Sequence, residues 1–257
     1  MSFHTGLGWA AVVVLPLLIA LGVGASRYAG LRHDKGIVTA ALRAVVQLAA
    51  VGAVVGVALR HTLGAIAFVL LMFVVATVTS TRRIQHTVRV PRQWAYCAAS
   101  IGGGAFVVLL LLILPGVVPR NPASILPMGG IIVGGAMTAT TLAGRRVLSE
   151  YRNRYGEFEA GLSIGLLQPD AFKLVAGPVA GDALLPALDQ TRTVGLVTLP
   201  GAFVGALLGG ASAANAARFQ IVVLVGLLCA QSITAVTLAW LLGAPRTLPE
   251  PELTRQA

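Results

Sequence analysis

Charge is scarce in this sequence: Asp, Glu, Lys and Arg make up 11% of its 257 residues, and the lysines are Lys35 and Lys173 alone. No G-x-x-x-x-G-K run is present, so the chain cannot hydrolyse ATP through a phosphate-cradling loop. The four histidines, His4, His33, His61 and His86, fall outside the apolar runs and show neither HExxH nor paired spacing, which leaves zinc and Ser-His-Asp chemistry without support. Cys97 and Cys229 both sit inside apolar runs, without metal-ligand spacing, and read as small apolar residues rather than a disulfide or a redox pair. No catalytic constellation appears.

What is abundant is hydrocarbon. Hydrophobic residues make up 56% of the chain and its mean hydropathy is +0.85, outside the range of soluble domains. A crossing helix needs about 20 apolar residues. Seven segments qualify: 7–25, 37–59, 63–79, 94–117, 125–143, 183–209 and 217–242, the third short and the sixth interrupted by Pro200-Gly201. The first resembles a signal peptide ending at Gly24-Ala25, but no Lys or Arg precedes it, so it reads as a retained span. The expected fold is all-α, a polytopic transmembrane helical bundle of about seven spans in a single domain over residues 1–257, placed in the cell (inner) membrane.

The net charge of +10 raises the question of a nucleic-acid partner, and its distribution answers it. Arg27, Arg32, Lys35, Arg82, Arg83, Arg89, Arg92, Arg145, Arg146, Arg152, Arg154, Lys173, Arg192, Arg246 and Arg255 fall on one side of the expected membrane. Arg60, Arg120 and Arg218 fall on the other, with Arg43 inside a span. Fifteen against three fits the positive-inside rule and not nucleic-acid binding. It predicts an external N-terminus and a cytoplasmic C-terminus, with all nine acidic residues on or beside the cytoplasmic side.

The most polar stretch, 144–181, is therefore cytoplasmic. Within it, 157–164 reads as a short helix ended by Gly165, which takes a left-handed terminal conformation without penalty. Pro169 can open a second helix, where its missing N–H costs nothing, although Gln168 before it is a poor cap. An ordinary interfacial loop with helical character fits the same residues.

Glu159-Ala160-Gly161-Leu162-Ser163-Ile164-Gly165, followed by Asp170-Ala171-Phe172, resembles the cytoplasmic coupling motif of ABC permeases. More of the chain resembles the iron-export ABC permease family, which includes plant aluminium-tolerance membrane subunits. The matching stretches are Arg43-Ala44-Val45-Val46-Gln47-Leu48, the run from Ile125 to Met137, the run from Thr193 to Gly201, and Ala217-Arg218-Phe219-Gln220-Ile221. Gly135 stands where the family usually has asparagine, and Gly161 where other ABC permeases favour alanine. The resemblance implies a non-catalytic permease subunit that binds no cofactor itself. A homodimer in the bilayer would work with a separate cytosolic ATPase that uses the ATP, and would export iron or another metal or small solute. It assigns ATPase coupling to Glu159, Leu162, Ser163, Gly165 and Ala171; a salt bridge from Glu159 to Arg152 or Arg154 is the competing role.

Other residues admit two readings each. Arg43 and Gln47 lie four apart on one helical face. An arginine within a span costs at least about 2.5–3.5 kcal/mol and must face protein or water, either on a translocation path or as a structural cation beside Asp189 or helix carbonyls. Asp182 and Asp189, seven apart on one helical face, could attract a metal cation, balance Arg192 or partner Arg43. Met128 and Met137 point to opposite faces and read as packing. Gly130 and Gly134, and Gly201, Gly205 and Gly209, form G-x-x-x-G steps that close helix contacts in lipid, within one chain or between two. No metal site is recognisable. An autonomous carrier or channel, which would need charged residues along the spans, and a membrane anchor that transports nothing are the rival functions.

Overall fold

Apolar runs fold as helices in a bilayer because every backbone N–H and C=O must find its partner within the segment. The computed structural model describes residues 9–31, 34–86, 90 and 92–244. His4, Leu7, Arg32, His33, Arg89, Arg246 and Arg255 lie outside the described residues. Among the described residues the chain is helical, with an isolated parallel bridge between Val194 and Thr198 as its one β feature. Six helices among the described residues are long and apolar enough to cross a membrane. A seventh crossing results if Gln168–Ala176 and Pro178–Thr193, bent by 52°, count as one.

Contacts divide the chain into two units, Met1–Val57 and Ala58–Ala257. The first holds α1 (Trp9–Tyr28) and most of α2 (Asp34–Ala58). Gly30, at φ 65°, closes α1: its N–H reaches the Arg27 carbonyl and that of Leu31 reaches Ser26, the paired bonds of a Schellman cap. Arg27 then donates to Asp34 at 3.3 Å across the turn.

The second unit packs α3 (Thr62–Gln85), α4 (Gln93–Ile113), α5 (Pro122–Asn153) and α10 (Ala213–Gly243) against one another. Lipid is as apolar as leucine, so close fit and hydrogen bonds hold these helices together. Glycines supply the fit. A Cβ at Gly104 would stand 2.0 Å from the Thr234 hydroxyl and 2.4 Å from the Ala230 carbonyl, and one at Gly129 would strike Val69. Hydroxyls supply the bonds. Ser100 of α4 shares a 3.1 Å bond with Thr140 of α5 and donates to the Thr234 carbonyl of α10. Thr141 of α5 donates to Ser80 of α3, whose hydroxyl donates to the Met137 carbonyl. Interhelical bonds of this kind are worth about 0.6–2 kcal/mol each. Met128 is fully buried in the core and Met137 packs against the same cluster.

Two apolar clusters fill the unit. One joins Val69, Ile101, Val108, Met128, Ile132 and Val223, towards the starts of α5 and α10. The other joins Ile84, Cys97, Leu148, Tyr151, Phe172 and Leu242, towards their ends. The second lies where α3 ends, α4 begins and α5 ends, which collects Arg82, Arg83, Arg92, Arg145, Arg146, Arg152 and Arg154 at one pole. Arg60, Arg120 and Arg218 belong to the other pole; there Arg120 donates to the Leu114 carbonyl at 2.7 Å and caps α4.

The predicted sixth span, 183–209, is not a continuous helix. It begins in a 3-10 helix (Pro178–Leu184), continues as α8 (Leu185–Thr193), unwinds over 194–200 and resumes as α9 (Gly201–Leu208). The reason is local. Gly195 adopts φ 80°, which a helix does not contain, and Pro200 lacks the N–H that would carry a helix through it. Asp182 sits on the 3-10 helix and Asp189 on α8, which follows it without a break.

Candidate functional site

The basic pole carries a helical hairpin. α6 (Tyr155–Ser163) follows α5 after one residue, Arg154, and α7 (Gln168–Ala176) follows a short turn. The turn is a Schellman cap: Gly165, at φ 94°, donates to the Leu162 carbonyl, and Leu166 donates to that of Gly161. Gly161 allows α6 and α7 to close, since a Cβ there would stand 3.3 Å from both Ala171 Cβ and Leu166 Cδ1.

Two devices fix the hairpin to the membrane helices. Tyr151 of α5 is buried, and its ring lies 5.2 Å from Phe158 of α6 and 5.9 Å from Phe172 of α7. Phe172 in turn packs where α10 has Gly243, whose Cβ would come within 2.8 Å of the ring. Arg154 is the polar counterpart. Its guanidinium grips Glu157 through both carboxylate oxygens, lies 3.7 Å from Glu150, and donates at 3.2 Å to the Val175 carbonyl of α7. The Glu157 carboxyl is held below its ordinary range by that hydrogen bond, and Arg154 is raised by the same contact.

The exposed side of the hairpin is free. Glu159 is exposed and, among the described residues, makes no side-chain ion pair; Arg154 pairs with Glu150 and Glu157 instead. Leu162, Ser163 and Gly165 are also exposed, and the Ser163 hydroxyl returns to the Glu159 carbonyl at 2.9 Å. Ile164 is 82% and Leu167 71% exposed at the turn, so an apolar tip stands beside an unpaired carboxylate. Ala171 is different. It is fully buried beneath Gly161 and supports the hairpin rather than presenting a surface.

The broken span is the second feature. Ala180 and Ala183 of the 3-10 helix belong to the cluster at the basic pole, with Ala235 and Leu238 of α10. At the far end α9 turns through a third Schellman cap at Gly210 (φ 90°) onto the start of α10, which it packs against. Residues 185–200 therefore climb beside the interior of α10. Asp189 lies on this stretch, exposed, and pairs with Arg192 at 3.7 Å; Asp182 is exposed on the 3-10 helix.

Arg43 and Gln47 are both exposed on α2 within their own unit, and Arg43 makes no ion pair among the described residues. The expected glycine contacts divide. Gly130 lies near Met72, but Cβ atoms at Gly134, Gly201 and Gly205 would meet open space, and one at Gly209 would meet only carbonyls of its own helix. Tight packing within the chain falls to Gly104, Gly129, Gly135 and Gly144. Gly135 is where α5 meets α10, with Leu227 2.1 Å and Gln231 3.0 Å from a Cβ there; a larger residue would require both to shift. Among the described residues no group of three His, Cys, Asp or Glu could hold a metal ion.

Sequence reasoning offered Arg154 only as a partner for Glu159, not as the link to Glu157 and the Val175 carbonyl, and missed Tyr151 and the hydroxyl bonds. The spacing of Tyr151, Tyr155 and Phe158 (three and four residues) was a usable sign of one aromatic face across the α5–α6 junction.

A multi-pass helical membrane protein with a braced polar hairpin at its basic pole and an interrupted span has the build of a permease. The chain belongs to the uncharacterised protein family UPF0014, whose model matches residues 9–245. It is similar to the UPF0014 membrane protein STAR2 of Oryza sativa, 32% identical over 89% of this chain and 80% of that one. It is also similar to the probable iron export permease protein FetB of Escherichia coli, 27% identical over 88% of this chain and 86% of that one. Protein ALUMINUM SENSITIVE 3 of Arabidopsis thaliana is 34% identical over 66% of this chain, which spans 63% of that protein. No solved structure matches.

Proposed function

We propose that this chain is the membrane-spanning subunit of an ABC transporter that exports a metal ion or small solute, working as a homodimer with a separate cytosolic ATPase. The observation that carries the reading is the hairpin. A motor outside the membrane needs a rigid element to push on, and α6–α7 is braced to α5 and α10 by buried aromatics and by Arg154 while its outer edge stays free. Glu159, Leu162, Ser163 and Gly165 form that edge, and Ala171 supports it. The apolar tip of Ile164 and Leu167 suits a shallow groove on a partner, and Glu159 suits a basic residue at its rim. The basic pole is then cytoplasmic, by the positive-inside rule. Iron as the cargo is supported by the similarity to the probable iron export permease.

The second reading is an autonomous carrier, which the charged pair Asp189–Arg192 on the broken span favours. Liposomes that carry the chain alone, or the chain with the ATPase, separate the two. Metal efflux that needs both the ATPase and ATP supports the ABC reading; equal efflux without them supports the carrier.

A further inference from the structure

The unwound stretch 194–200 leaves five backbone carbonyls unpaired between two helices of the broken span. Its own turn uses two carbonyls: Thr193 accepts from Leu196, Val197 and Thr198, and Thr198 accepts from Gly195 at 2.9 Å. The carbonyls of Val194, Gly195, Leu196, Val197 and Leu199 accept no hydrogen bond among the described residues. Irregular backbone is tolerated at membrane depth only where protein buries it or where it lines a water-filled cavity.

The depth follows from the connections. α9 has 8 residues, so its start lies about 12 Å down the flank of α10 at 1.5 Å per residue. α8 approaches from the basic pole and presents its C-terminal carbonyls, the negative end of its dipole, to the same place. The stretch thus lies beside apolar α10, yet one copy of the chain leaves it open: Leu196 is 90% and Val197 80% exposed. Asp189, one turn below, offsets the charge of Arg192 at 3.7 Å. Carbonyl oxygens select hard, oxygen-preferring cations such as Mg²⁺ and Mn²⁺, and no cluster of metal-ligating side chains competes among the described residues.

We propose that the free carbonyls of segment 194–199 form a backbone site for a hard divalent cation, on a water-filled path closed by a second copy of the chain. The proposal rests on the transport reading above and assigns the cargo's contact to main-chain oxygen.

The test uses the full chain in liposomes without any ATPase, so that failure of the ATPase partnership does not affect it. In a C229S background, V197C is treated with a membrane-impermeant thiol reagent, with V236C on the exposed face of α10 as the lipid-side control. Because the thiolate reacts and apolar surroundings suppress it, the V197C variant is expected to react at least about tenfold faster than the V236C variant. Millimolar Mn²⁺ should slow labelling of V197C several-fold and leave that of V236C unchanged. Adding G195A, which cannot hold φ 80° without strain, should abolish the Mn²⁺ protection of V197C while the protein elutes as the parent does. Equal rates for the two variants, labelling of V197C that Mn²⁺ does not alter, or full protection in the presence of G195A would each overturn the proposal.

Discussion

Residues 154–184 and 185–209 follow one another in the chain and are built on opposite principles. In the first, the contacts that anchor the hairpin are completed by the same chain, and only its outer edge stays open. Tyr151, Phe158 and Phe172 bury one another, Arg154 spans three elements, and glycines at 161 and 243 receive neighbouring side chains. In the second, little is completed. Ala187 is the one buried residue of α8 and α9 has none, Gly201 and Gly205 face open space, and five of the seven carbonyls between the two helices accept no hydrogen bond among the described residues. Under the proposed function the braced region would serve as the lever and the open one as the path.

That contrast can be broken most severely by removing its aromatic joint. F172A should cost about 3–5 kcal/mol, the usual penalty for a buried ring, and free α7 from α10; thermal unfolding in detergent and faster proteolysis at the hairpin would register it. G104A comes next. With the Ala230 carbonyl only 2.4 Å from the new Cβ, α4 and α10 must separate, at about 1–3 kcal/mol, read as a lowered midpoint in the same assay. G201A with G205A should do the reverse in the isolated chain, adding about 0.5–1 kcal/mol per site through helix propensity, while weakening any dimer that uses that face; chemical cross-linking reads the second effect. The smallest change is with pH. The Glu157 carboxyl is depressed by Arg154, so its contribution is present above the ordinary glutamate range and lost as pH falls through the lowered value. E157Q should flatten that acid limb of the unfolding curve.

Much of this architecture was legible in the sequence because lipid imposes simple rules. The apolar runs located the spans, and Gly165 and Pro169 located the hairpin turn to within a residue or two. Pro200-Gly201 announced the interruption of the sixth span, although Gly195, which completes it, carries no comparable signal in the sequence. The rest depended on contacts distant in the chain. Nothing local reveals that Ser100 meets Thr140 and the Thr234 carbonyl, or that Gly129 and Gly104 do the packing that G-x-x-x-G spacing suggested for Gly134 and Gly201. Spacing of small residues marks a stripe, and only the fold shows which stripe is covered.

The most direct test of the lever is co-purification of the tagged chain from detergent, with mass spectrometry of what accompanies it, for the parent and for E159R. Glu159 is exposed and unpaired, so its reversal should leave folding and dimerisation intact. Recovery of an ATP-binding subunit in equal amount with the parent, and its loss with E159R, is the predicted result. Recovery of that subunit undiminished with E159R, or of the parent chain alone while it still moves metal across liposomes, would contradict it.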